Sequence, residues 1–192
     1  MKKEKISLKF STMQSFVLCP FMVVVLDKTK KSGSNIITVS YTGVLSECPP
    51  IIGLAIRPSR YSHQLIREAG EFSLNLPSVS LLEDLDFCGK YSGKKYDKVL
   101  LRNIKLEPSE VIRSPIITEA PINLECKIRD ILYLSKNGSS HDYFIADIVV
   151  FHRAIDFIIE KSQSLITANY DYLQLGKNLG KAFNVCKRKK GG

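Results

Sequence analysis

Within the stretch IRPSRYSHQLIREAGEF (56–72), two arginines and two hydroxyls crowd one short seam: Arg57, Ser59, Arg60 and Ser62. An apolar run, IIGLAI (51–56), ends there, and a helix-like segment begins that Gly70 closes. The first turn of a helix carries unpaired N–H groups and a partial positive charge. Serines can cap such a turn, and arginines add charge-assisted hydrogen bonds. The seam therefore admits two readings, an ordinary N-cap beside solvated arginines or a site for an anion.

Other chemistry is missing its parts. CGKYSGKKYDK (88–98) has three residues between Gly89 and Gly93 and no Ser or Thr after its lysine pair, so it is no phosphate loop of a nucleoside triphosphatase. No GxGxxG follows a strand, which removes a Rossmann dinucleotide site. His63, His141 and His152 lack metal-ligand spacing, and no GxSxG nucleophile turn occurs.

The chain has 192 residues, 44% hydrophobic and 24% charged, with a net charge of +9. That length suits one domain, burying roughly 70% of its unfolded surface without staples. The basic surplus favours anionic partners without choosing among phosphorylated cofactors, nucleic acid or an acidic protein. Part of it is the KRKK tail (187–190), read as a solvated end rather than a nucleic-acid arm. Cys19, Cys48, Cys88, Cys126 and Cys186 are scattered and odd in number, which fits reduced thiols. Pro20 interrupts the apolar run after MKKEK, no small-x-small cleavage site follows, and the run is too short to span a bilayer. A cytoplasmic protein with no membrane partner is the expectation.

The elements that must hold the seam are mostly strands. The runs 22–27, 36–43, 51–57, 71–76, 122–134 and 142–155 are rich in β-branched and aromatic residues and bounded by turn residues. Asn137-Gly138 between the last two signals a hairpin. Helices are expected over 59–69, 80–87 and 97–102. Strands and helices do not alternate, so a mainly β, Greek-key antiparallel barrel is expected rather than a doubly wound sheet.

Read in order, SNIITVSYTG, then the Pro49-Pro50 strand, the basic hydroxyl-rich turn, GEFSLNL and SGKKYDK resemble the flavin reductase-like proteins, including the flavoredoxins. The resemblance spans about residues 10–176, one domain, and implies an FMN-binding split β-barrel. It places the FMN phosphate beside Arg57, Ser59, Arg60 and Ser62, with Ser92 and Lys98 from the SG-x-x-x-DK element. It places Asn35, Thr38, Val39, Ser40 and Tyr41 along the ribityl chain and ring. Tyr41 stands where many members have Trp, Ser62 where many have Thr, and Ala146-Asp147 where Gly-Glu is common. Tyr41 reads equally as a core aromatic, and His141 as a surface residue or a flavin neighbour. Tyr170 and Tyr172 match an aromatic segment that in relatives approaches the flavin or substrate. Asn75 reads as structural, and Lys94 and Lys95 as solvated.

The resemblance implies electron transfer through bound FMN with no catalytic side chain. Two jobs remain open: an NAD(P)H-dependent reductase of flavin or another small acceptor, and a carrier exchanging with a ferredoxin-like protein. A homodimer is implied. A basic nucleic-acid-binding barrel is the third alternative, and it is disfavoured because the basic residues cluster at one turn and the tail rather than alternating with aromatics along strands.

Overall fold

The computed structural model describes residues 18–134, 140–155, 165–168 and 171–174. The hairpin turn expected at Asn137-Gly138, Tyr170 and the basic tail lie outside the described residues.

Seven strands make one antiparallel sheet: β1 (Phe21–Leu26), β2 (Ser34–Val39), β3 (Thr42–Glu47), β4 (Pro50–Ile56), β5 (Glu71–Leu76), β8 (Ile122–Leu132) and β9 (Asp142–Arg153). Their order is β2-β1-β5-β8-β9-β4-β3. Short pairs β6 (Leu106–Glu107) with β7 (Ile116–Ile117), and β10 (Leu165–Ala168) with β11 (Asp171–Gln174), stand apart from it. Three α-helices, α1 (Tyr61–Ala69), α2 (Leu82–Lys90) and α3 (Lys98–Arg102), and one 3-10 turn, Val79–Leu81, complete the described fold. The mainly β class expected from the sequence is what forms, and the sheet curls so that β2 at one end and β4 next to the other contribute to one core.

That curl follows from strand alternation. In β1, Val23 and Val25 face inward, where Ile37 and Val39 of β2 meet Ile52, Leu54 and Ile56 of β4 and Phe144 of β9. Met22 and Val24 face the other way and join Ile36, Leu85, Cys88 and Ile117 in a second core under α2. β1 is thus covered on both sides, which is why its sequence is an unbroken apolar run rather than an alternating one. Burying a side chain such as Val23 or Met22 contributes about 1.5–3 kcal/mol.

Helix α1 ends at Gly70, whose φ of 70° suits a residue without a Cβ, and the Gly70 N–H closes on the Ile66 carbonyl at 3.0 Å. Asn75 serves structure, as its sequence context suggests. It donates to the Met22 carbonyl at 2.9 Å and accepts from the Ile117 N–H at 3.0 Å and the Asn123 amide at 2.8 Å.

The run 36–43 is not one strand. It breaks at Ser40-Tyr41 into β2 and β3. β3 has weak patterning because it is an exposed edge, with Val44 69% and Leu45 48% accessible. Among the described residues no helix is long and apolar enough to cross a membrane.

Candidate functional site

Strand β4 delivers the chain to Arg57, and a turn closed by the Arg60 N–H on the Arg57 carbonyl (2.9 Å) leads into α1. Arg60 is the N-cap residue, in extended conformation, yet no side chain caps the helix and its first turn holds no acid. The ordinary N-cap is therefore not what the serines form. Ser59 is exposed, while Ser62 is buried and its Oγ accepts from the Asn35 side-chain amide at 2.7 Å.

Asn35 comes from β2, on the face it shares with Ile37 and Val39. Opposite it lies the turn after α2. A Cβ added at Gly93 would collide with Asn35 Oδ1, so only glycine lets this turn approach β2 so closely. Three segments distant in sequence thus converge beside the open end of α1.

Lys98 lies beneath them, 3% exposed. Its Nζ donates to the carbonyls of Cys88 at 2.9 Å and Tyr91 at 3.0 Å, satisfying the C-terminal end of α2. Burial, helped by nearby Arg60 and Lys30, pushes its pKa down to about 8. Beside it, Asp97 caps α3 by accepting from the Leu100 N–H at 3.3 Å. Asp97 also accepts from Ser32, through its N–H at 3.0 Å and its Oγ at 2.7 Å. Burial alone would raise the Asp97 pKa, but the Ser32 and Leu100 hydrogen bonds outweigh it and hold the carboxyl below the usual range. Lys30 Nζ reaches the Lys94 carbonyl at 3.4 Å, so the turns 27–33 and 91–97 are joined twice.

On the other flank, Tyr41 meets His141 edge-on, with centroids 5.2 Å apart and planes at 71°. The Tyr41 carbonyl accepts from Ala55 at 2.8 Å, which fixes this corner to β4. Burial, then the charges of Arg57 and Arg60, lower the His141 pKa and favour its neutral ring.

The structure brings Asn35, Ser62 and Lys98 together with Arg60, and Tyr41 and His141 within the influence of Arg57 and Arg60. It separates others. Thr38 has the opposite parity to Asn35, so its side chain faces α2, where Oγ1 donates to the Leu85 carbonyl and Cβ lies under Gly89. Val39 points into the core, leaving its backbone for any ligand. Ser40 is half-buried at the break between β2 and β3. Ser92 is exposed and shapes its own turn, accepting from the Lys94 N–H at 3.3 Å. Tyr172 reaches Asp86 of α2 at 3.3 Å, in a groove of about 410 Å³ with Phe87 and Tyr91. Lys30 and Ser32 were not anticipated, and Gly93 and Asp97 only as members of the SG-x-x-x-DK element. The lysine-rich composition of DKTKKSG (27–33) is the signal that could have pointed to the first two.

The donor set fits a phosphate-bearing planar group. Cations and an uncapped helix end suit the anion. The outer edge of β2, which among the described residues pairs with β1 alone, and the Tyr41–His141 corner suit a flat polar ring.

Residues 13–172 match the sequence model of the flavin reductase like domain. An uncharacterized protein of Archaeoglobus fulgidus is 38% identical over 94 residues, which are 49% of this chain and 53% of that protein. One from Pyrococcus abyssi is 31% identical over 118 residues, 62% and 65% of the two chains. The chain thus spans between about half and two thirds of the length of these curated relatives. Among solved structures, a flavoredoxin from Methanosarcina acetivorans superposes with a TM-score of 0.81 at 24% identity, covering 95% of this chain and 97% of that one. The flavoredoxin of Desulfovibrio vulgaris gives 0.80 at 22%, covering 95% and 98%. At these identities the likeness shows a shared fold.

Proposed function

The chain belongs to the flavin reductase-like domain family, and on that premise we propose that it binds FMN and passes electrons from NAD(P)H to a flavin or another small acceptor. The observation that carries this reading is the meeting of Asn35, Ser62 and Arg60 at an α1 N-terminus that no side chain caps. Arg57, Arg60 and the α1 N–H groups would hold the phosphate, Ser62 and Asn35 its neighbouring oxygens, and the β2 edge with Tyr41 the ring. FMN supplies the two-electron chemistry when bound. The chain's residues bind it, orient it and keep the ring beside a neutral His141.

Lys98 supports this site from beneath, with two of its three ammonium donors committed to the protein. Its Nζ already serves two carbonyls, so it adds positive potential and holds the Gly93 turn in place. Exposed Val44, Val149 and Phe151 on β3 and β9 support a homodimer, since soluble monomers rarely leave apolar strand faces open.

A second reading, a carrier that exchanges electrons with a ferredoxin-like protein, is favoured by the likeness to flavoredoxins. Anaerobic mixing of the FMN-loaded protein with NADH, NADPH or a reduced iron–sulfur protein separates the two. Reduction by a nicotinamide nucleotide within seconds is the expected result. Reduction by the iron–sulfur protein alone makes it a carrier, and protein that neither retains nor takes up FMN defeats both.

A further inference from the structure

The segments 27–33, 57–63 and 90–98 together hold nine basic residues and two acidic ones, in a chain whose whole surplus is nine. Both acids are turned inward. Asp27 accepts from Thr29 through its N–H at 3.0 Å and its Oγ1 at 2.6 Å, and from the Tyr61 hydroxyl at 2.9 Å. Asp97 is held by Ser32 and the α3 cap. Outside these segments Arg102 pairs with Asp84 and Glu83, Arg113 with Glu71 and Arg129 with Asp147, while Arg67, Lys127 and Arg153 are scattered singly and have no ion pair among the described residues. Among the described residues, Lys28, Lys31, Lys94, Lys95 and Arg60 have no acidic group within 4 Å. The segments are contiguous, through Lys30 on the Lys94 carbonyl and Ser32 on Asp97.

One flavin phosphate brings about two negative charges. Arg57, Arg60 and the α1 N-terminus answer those, which leaves the lysines of two adjoining turns in excess. Aromatic rings stand among them. Lys30 Nζ lies 5.9 Å from the Tyr61 centroid and Lys90 Nζ 5.6 Å from that of Tyr91. Tyr91 and Tyr96 meet edge-on at 5.7 Å and are 38% and 41% exposed. Charge alone would serve any anion. Half-exposed rings interleaved with lysines suit a purine bearing phosphates, since a base stacks on the ring while the ammonium groups take the oxygens.

Building on the flavin reductase reading, we propose that the turns 28–31 and 90–96 form a second subsite, which takes the phosphorylated adenosine half of the nicotinamide nucleotide. The extra 2′-phosphate makes NADPH the preferred donor over NADH. Lys94 and Lys95, exposed at the tip of the Gly93 turn, are the specificity-determining residues, with Lys31 beside them.

The test is calorimetric titration of the FMN-loaded full chain with NADP⁺ and NAD⁺, and of the flavin-free chain with adenosine 2′,5′-bisphosphate. Wild type should bind NADP⁺ about 10-fold or more tighter than NAD⁺, the effect of one additional charged hydrogen-bonding group. Lys94→Gln/Lys95→Gln should erase that preference and weaken adenosine 2′,5′-bisphosphate, with FMN affinity unchanged. Equal affinity for the two nucleotides in wild type, or a preference that survives the double substitution, overturns the proposal. So does a parallel loss of FMN, which would assign these lysines to the flavin phosphate, or a response confined to an acidic ferredoxin. Because the bisphosphate titration needs no flavin, a failure of the flavin reading appears separately, as absent FMN binding.

Discussion

Around the loop 108–115, buried carboxylates find their partners within the protein. Glu125, wholly buried on β8, accepts from the N–H groups of Glu110 at 2.6 Å, Val111 at 2.7 Å and Ile112 at 3.0 Å, and contacts His152 Nε2 at 2.8 Å. Glu71 accepts from the Arg113 N–H at 2.8 Å and its Nε at 2.9 Å. Around the turns 27–33 and 91–97 the reverse holds: the carboxylates face inward, and Lys28, Lys31, Lys94 and Lys95 have no acidic group within 4 Å among the described residues. Satisfied charge of the first kind fixes a loop, and unsatisfied charge of the second kind lowers stability by self-repulsion unless an anion arrives. The same side chains, differently partnered, separate a region that holds the fold from one that receives a ligand.

The most forceful way to break this contrast is to empty the clamp. Glu125→Ala leaves three backbone donors without their carboxylate, and a loss of about 3–5 kcal/mol is expected in urea unfolding. In wild type, burial would raise the Glu125 pKa, but the loop N–H groups and His152 hold it below the usual range. Its stabilising contribution is therefore full at neutral pH and disappears as pH falls through that lowered value. An unchanged unfolding midpoint for Glu125→Ala would mean that the loop closes without it.

At the open end, the effect should fall on ligand rather than on fold. Ser62→Ala removes the acceptor of the Asn35 amide and a hydroxyl at the α1 entry. FMN affinity should drop by roughly 10-fold or more, the range for a hydrogen bond to a charged group, with riboflavin nearly unaffected because it lacks the phosphate. Equal losses for both ligands, measured by flavin fluorescence, would move Ser62 away from the phosphate.

Lys98 joins the two behaviours, and pH sharpens its part. Its folded pKa of about 8 lies below the ordinary 10.5, so the unfolded chain binds the extra proton between those values. Stability of wild type relative to Lys98→Met should therefore rise as pH climbs from about 8 to 10.5 and stay level below it. A difference that is flat throughout would place the ammonium in water. The smallest change is expected for Arg129→Ala, whose bidentate pair with Asp147 (2.6 and 3.2 Å) is screened by solvent, so its unfolding midpoint should stay close to that of wild type.

Much of the frame was legible because β-branched runs bounded by turn residues report burial directly, as in β1 and β4. The helix from 61 to 69 and its glycine stop were equally plain. What escaped was whatever burial does not mark. β3 is a polar, exposed edge, and β6, β7, β10 and β11 are too short to show a period. In the site, the seam 57–62 announced itself by residue type. The carbonyl contacts of Lys98 did not, because a lysine that satisfies helix carbonyls has the same spacing as one that reaches a phosphate. Thr38 looked like a neighbour of Asn35 until strand parity sent it to α2. Asp27 and Asp97 look like surface acids in the sequence, and only the fold shows them turned inward.

Strand β2 carries Asn35, Ile37 and Val39 on one side and Ser34, Ile36 and Thr38 on the other, and each set is committed to a different layer. A slip of one residue against β1 would exchange them, sending Asn35 under α2 and an isoleucine to the place opposite Ser62. No partly correct version exists. The six-residue pairing of β1 with β2 thus acts as a reading frame for the ligand site, and a length change in the 27–33 turn that shifts it would erase recognition and helix docking in one step.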